Sequence, residues 1–183
     1  MKHLCPALLG VLSLAYPLLM YSGLGRFEPR WMAIPLVVMA VLRAVATKER
    51  VWLVTAALAL VLAGTSMLGN HALPLKLYPV LVNSMLLAVF ATSLVYPPTV
   101  IERLARLREP QLPASGVAYT RRVTQVWCGF FVVNGGIALA TALWASDATW
   151  ALYNGLISYG LMGLLFAGEW LVRRRVRAGH VHG

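Results

Sequence analysis

Asn83, Asn134, Glu169 and a band of arginines are the residues of this 183-residue chain whose types and positions could do chemistry. Asn83 and Asn134 each fall near the middle of a long apolar run, and Glu169 is the one acidic side chain within such a run. An amide in hydrocarbon needs a hydrogen-bonding partner, so the two asparagines read either as a clasp between helices or as a polar groove for a lipid headgroup or acyl carbonyl. A carboxylate in such a place is a functional candidate by default. Arg173 follows Glu169 by four residues just as the apolar run stops, which offers the other reading, a glutamate–arginine pair snorkelling to the membrane edge. Arg103, Arg106, Arg108, Arg121 and Arg122 gather between two apolar runs, with Glu102 and Glu109 among them, a net charge of +3. Guanidinium groups bind phosphate or carboxylate bidentately, so this band suits lipid phosphates or an acidic protein helix.

Metal and nucleophile chemistry find no such support. Cys5 and Cys128 lie in apolar runs and read as packing residues, and His180 and His182 read as a solvated tail. No Cys/His/Asp cluster has metal-ligand spacing, and no Ser/His/Asp arrangement, phosphate-cradling loop or nucleotide fingerprint is present. Neither a metal nor a cofactor is therefore expected.

The elements that must position these residues follow from composition. The chain is 60% hydrophobic and 12% charged, with a mean hydropathy of +0.73. Soluble domains average about 45–50% apolar and about 25% charged residues. Such a chain is expected to be all-α, a polytopic membrane helix bundle. The net charge of +10 does not indicate nucleic acid, because the basic residues lie between apolar runs. A bilayer core about 30 Å thick needs about 20 helical residues. That ruler gives six spans in a single integral domain, at about 4–22, 31–47, 51–68, 73–96, 124–145 and 150–172. The first lacks a cleavage site and reads as an uncleaved span. The polar "TKER" after the second suits a tight helical hairpin.

Charge orients the spans. With both termini cytoplasmic, Lys2, Arg43, Lys48, Arg50, the five arginines of loop 98–122, and Arg173, Arg174, Arg175 and Arg177 face the cytoplasm, against Arg26, Arg30 and Lys76 outside. This is the asymmetry of the positive-inside rule. Arg43 and Lys76, near span ends, are expected to snorkel. Trp31, Trp52, Trp127, Trp144, Trp150 and Trp170 fall near span ends, where amphipathic rings favour the interface. Ser146 or Asp147 can cap the sixth helix, while Gly135, Gly136, Gly160, Gly163 and Ala167 favour close helix contact. Within loop 98–122, "VIERLARLRE" spaces Ile101, Leu104 and Leu107 as one helical face amid arginines, predicting an amphipathic helix on the cytoplasmic lipid surface; "EPQLPASG" is expected to break it before the chain re-enters the membrane.

The stretches "KLYPVLVN", "PPTVIERLARLREP", "YTRRVTQVWCGFF", "ALYNGLISY" and "FAGEWLVRRR" together resemble a family of small bacterial inner-membrane proteins encoded in gene clusters for aryl polyenes and related fatty-acid-like envelope pigments, of xanthomonadin type. The resemblance covers most of the chain and is strongest from Lys76 onward. Family members sometimes carry a ketosynthase label, but this sequence lacks the catalytic cysteine motif of a ketosynthase. The resemblance implies a pathway and an inner-membrane location, without a reaction to carry over. Three readings follow. The first is an accessory protein that docks acyl-chain enzymes or an acidic acyl carrier protein, or handles the lipid product. The second is a membrane-embedded lipid-modifying enzyme or transferase, with Glu169, Asn134 and the arginines around one cytoplasmic pocket. The third is a small lipid transporter or flippase, for which six short spans would need a homo-oligomer. Membrane lipids are partners in each.

Overall fold

The structure is a computed structural model that describes residues 19, 22, 27–46 and 50–179. Most of the expected first span, with Cys5, lies outside the described residues, as do the turn residues 47–49 and the His180 and His182 tail. Every regular element among the described residues is helical: α1 Pro29–Ala46, α2 Arg50–Gly69, α3 Leu73–Lys76, α4 Tyr78–Val95, α5 Val100–Arg106, α6 Ala114–Trp144, α7 Asp147–Leu152, a π-helical turn Tyr153–Ile157, and α8 Ser158–Gly179.

Small side chains decide which faces meet. Ala33, Leu36 and Ala40 on α1, and Ala56, Ala59, Ala63 and Ser66 on α2, are buried at three- and four-residue spacings. Alanine lets two backbones approach closely, which in a lipid-like setting replaces the hydrophobic drive to associate. Beyond α2 the chain turns through Asn70, whose φ of 50° is a left-handed conformation that asparagine tolerates. Ser66 Oγ donates to His71 O at 2.6 Å across this turn. Pro74 then starts α3 and Pro79 starts α4, at the positions where a helix needs no amide donor.

A second close pairing is that of α4 with α6. On α6 the buried positions are Thr120, Thr124, Trp127, Phe131, Asn134, Ala138 and Ala142, a seam of alternating three- and four-residue steps through most of its length. Phe90 of α4, Trp127, Phe130 and Phe131 of α6, and Phe166 of α8 form an aromatic cluster beside it, with ring centroids 4.6–6.4 Å apart. Such tilted and edge-on pairs add to the area they cover. Pro97 and Pro98 end α4.

Three segments are long and apolar enough to cross a membrane: Leu73–Val95, Ala114–Trp144 and Asp147–Arg173. Trp31–Leu42 and Leu53–Gly69 are shorter apolar stretches. Several sequence expectations change. The segment 98–122 is not a loop throughout: α6 begins at Ala114, because the extended Pro113 launches the helix and no later proline interrupts it. Trp127 and Trp150 are buried among the helices, whereas Trp31, Trp144 and Trp170 are exposed. Among the described residues, Gly135 alone of the small residues proposed to bring helices together does so. A Cβ there would stand 3.1 Å from Asn83 Cβ, while Gly136, Gly160 and Gly163 face open space and Ala167 is exposed.

This contrast is measurable. Replacing a helical glycine by alanine gains up to about 1 kcal/mol where space allows. Gly136→Ala and Gly160→Ala are expected to raise the unfolding midpoint in detergent. Gly135→Ala is expected to lower it or leave it unchanged, since Asn83 must yield; a gain equal to that of Gly136→Ala would show that α4 and α6 do not touch there.

Candidate functional site

The polar groups of the long helices form three sets at three depths. In the middle, Asn134 Nδ2 donates to Asn83 Oδ1 at 3.0 Å, and the Tyr153 hydroxyl donates to Asn134 Oδ1 at 2.9 Å. Asn83 Nδ2 donates in turn to Pro79 O, one helical turn back, at 2.8 Å. Asn83 and Asn134 each lie ten residues from the Leu73 and Trp144 ends of their segments, about 15 Å deep at 1.5 Å per residue. The π-helical turn places Tyr153 and Asn154 side by side in the buried region, and Asn154 Nδ2 donates to Thr141 Oγ1 at 3.2 Å and to Trp150 O at 2.9 Å. π turns often mark places where a side chain must be redirected.

At one end, Lys76 and Asp147 meet. Lys76 Nζ lies 2.9 Å from Asp147 Oδ1, with 10% of the lysine side chain exposed and 51% of the aspartate. Trp150, wholly buried, donates its indole N–H to Lys76 O at 3.1 Å. Lys76 therefore does not snorkel. Its ammonium has a carboxylate within the bundle, and its carbonyl holds the next helix. Ser146, not Asp147, is the cap of α7, accepting from the Thr149 amide at 3.2 Å.

At the opposite end stand Glu169 and the arginines. Glu169 Oε1 lies 3.1 Å from Arg173 Nε, close enough for an ion pair but without the alignment of a hydrogen bond. The Tyr119 hydroxyl donates to Glu169 O at 3.2 Å, tying α6 to α8. Arg121 Nη1 donates to Leu94 O at 2.9 Å, satisfying a carbonyl that the end of α4 leaves open. In α5, Thr99 accepts from the Glu102 amide as cap. Arg106 pairs with Glu102 at 2.8 Å and donates to Pro110 O at 3.1 Å, while Arg103 Nε donates to Pro98 O at 3.0 Å. Arg108 and Arg122 are exposed.

The structure thus joins Asn83 to Asn134, and Glu169 to Arg173, and keeps the two sets apart. From Asn134 to Tyr119, which touches the Glu169 backbone, is fifteen helical residues, about 22 Å. Tyr153, Trp150 and the Lys76–Asp147 pair escaped the sequence reading. The signal was present: Lys76 and Asp147 are opposite charges placed on the same side by the expected topology. Tyr153 stands within an apolar run as Asn83 and Asn134 do. Among the described residues, no three His, Cys, Asp or Glu side chains gather as a metal site would require.

No protein-family model matches the chain, and no solved structure matches it. Over 132 residues it is 28% identical to the inner membrane-spanning protein YciB of Chromohalobacter salexigens, covering 70% of this chain and 68% of that one. Helix length, apolar composition and this similarity agree. The chain is a helical membrane protein. The relative's name speaks of membrane location and of no reaction.

Two substitutions probe the polar sets. Interhelical hydrogen bonds in membranes average about 0.6 kcal/mol, with a maximum near 1.7. Asn134→Leu strands two partners and is expected to cost more stability than Tyr153→Phe, and the loss in Asn83→Leu/Asn134→Leu is expected to fall short of the sum of its singles. Additive losses would mean that the amides act independently. At the Lys76 end, Asp147→Ala leaves the buried Lys76 ammonium without its carboxylate, a loss of about 1–3 kcal/mol. Lys76→Met in the same chain is expected to recover much of it. A double variant no more stable than Asp147→Ala would contradict the pairing.

Proposed function

We propose that the chain is a six-span inner-membrane accessory protein, with both termini cytoplasmic, that handles the apolar acyl product of an aryl-polyene or related fatty-acid-like envelope pathway. One observation carries the reading. The central amides are tied to one another through Asn83, Asn134 and Tyr153, while the outward faces of the same helices are apolar, with Val133, Leu156 and Leu164 more than 60% exposed. The polar groups hold the frame, and the outer surface is left to lipid and long acyl chains. The inner-membrane relative supports the location, the distribution of basic residues supports the orientation, and the sequence resemblance supports the pathway.

Tyr119, which holds the Glu169 carbonyl, stands about 22 Å along α6 from Asn134, and this speaks against a single cytoplasmic pocket holding both, as the enzyme reading requires. Docking of an acyl carrier protein would fall on the arginine-rich lip.

Two experiments test the proposal. Location reporters fused to either terminus are expected to report the cytoplasm, and one inserted at Ser146 the opposite side; termini on opposite faces would remove the six-span arrangement. Deletion of the gene, followed by lipid and pigment analysis of the two membrane faces, is expected to leave the acyl product made but retained at the inner membrane. Unchanged amounts and placement of every acyl product would overturn the pathway role.

A further inference from the structure

The five arginines of the lip divide by what they touch. Arg103 and Arg121 each give one donor to a backbone carbonyl, Pro98 O and Leu94 O, and Arg106 meets Glu102 and Pro110 O, so these three help hold the turn between α4 and α6 in shape. Arg108 and Arg122 are exposed, and no acceptor among the described residues engages either guanidinium. Among the described residues of this lip these two guanidiniums are left to solvent, and the depth of Arg122 can be read from α6. Trp144, 81% exposed, is the ring suited to the far interface. Arg122 stands twenty-two residues before it, about 33 Å away along the helix, against a hydrocarbon core of about 30 Å. That puts Arg122 at the level of lipid headgroups. Arg121 beside it reaches Leu94 in the last turn of α4, so two helices agree on where the apolar layer stops.

Apolar side chains are exposed on the same turn between α4 and α6, Leu107 immediately before Arg108. Leu104 and Leu107 are 56% and 81% exposed, and Tyr96 is also exposed. A water-facing turn gains nothing from two bare leucines. At a membrane surface they can enter the acyl boundary while the neighbouring arginines meet phosphate. We infer that Arg108 and Arg122 are the phosphate-binding residues of an anionic-phospholipid site at this lip, with Leu104 and Leu107 entering the acyl boundary beside it.

Depth favours lipid over an acidic carrier protein. α6 starts at Ala114, eight residues before Arg122, so Arg122 lies about 12 Å below the start of the helix. A protein approaching from the cytoplasm would have to enter the headgroup layer to touch it, whereas a phosphodiester is already there. An acidic helix would also leave Leu104 and Leu107 unmatched. A guanidinium offers a phosphodiester two parallel donors.

The inference rests on the membrane-spanning arrangement proposed above but not on the pathway. The full chain, reconstituted in phosphatidylcholine nanodiscs with a minor fraction of phosphatidylglycerol, is released and its retained lipids counted by native mass spectrometry. Wild type is expected to retain phosphatidylglycerol well beyond its share of the bilayer, less so as salt rises. Arg108→Gln and Arg122→Gln are each expected to reduce that retention about fivefold, and Leu104→Ser/Leu107→Ser to reduce it as well. Arg121→Gln is expected to change it little, while lowering the unfolding midpoint. Helix content by circular dichroism, unchanged in the two glutamine variants at Arg108 and Arg122, excludes misfolding as the cause. Equal losses in Arg121→Gln and Arg122→Gln would reduce the effect to undirected charge and overturn the site. So would retention that follows bulk composition, or capture of an acidic acyl carrier protein that depends on Arg122 while phosphatidylglycerol is ignored. A gene deletion without effect on acyl products would remove the pathway and leave this measurement standing.

Discussion

The arrangement of the long helices depends on one side chain, the Asn134 amide. Its nitrogen donates to Asn83 on α4 and its oxygen accepts from Tyr153 in the π-helical turn before α8. It thus joins all three long apolar segments through hydrogen bonds. Apolar contact alone would position these helices weakly, because lipid tails solvate a leucine as well as a neighbouring helix does. A directional bond in a low dielectric supplies what apolar contact lacks, a penalty for rotating or sliding out of register. The close approach of Gly135 to Asn83 Cβ follows from the same constraint, since the two amides meet only if the backbones of α4 and α6 come near.

The ends of the bundle then need less from their sequences. At one end, Lys76, Asp147 and Trp150 knit the start of the first long segment to the start of the last, by one ion pair and one indole hydrogen bond. At the other, Arg121 and Tyr119 reach from α6 to backbone carbonyls of α4 and α8. Backbone acceptors do not depend on the residue presented, so these contacts fix level without fixing identity. Between the middle and the arginine end, Trp127 and the surrounding phenylalanines fill the space.

Composition made the helical class legible, and span length made the three long helices legible. The sequence did not show which face of each helix is inner. In a chain apolar all round, the period that betrays the buried side of a soluble helix vanishes. The seam of α6 includes Thr120, Thr124, Asn134 and Ala138, residues no more hydrophobic than those that face outward. Small and polar side chains share the inside with large rings such as Trp127 and Phe131, so hydrophobicity alone does not mark it, and Asn83 and Asn134 stood out by their polarity. Tyr153 and Trp150 were harder, because an aromatic with a polar atom is at home at an interface too and only the three-dimensional partner separates the two cases. The early start of α6 was hidden by Ser115 and Gly116, which resemble a loop until Pro113 is seen to set the direction of the helix.

The π-helical turn carries a consequence of its own. An α-helix advances about 100° per residue, so five residues accommodated as a wider turn shift the phase of everything after them. Upstream, Trp150 and Ala151 point inward; downstream, Ser158 does, and the Glu169 carbonyl still meets Tyr119. The turn therefore acts as a vernier between two halves of one helix that answer to different neighbours, Lys76 above and α6 below. It also holds a residue in reserve. In most membrane helices a one-residue deletion would swing a polar face into lipid, but here the chain has a place where a change of length can be taken up as a change of helix type.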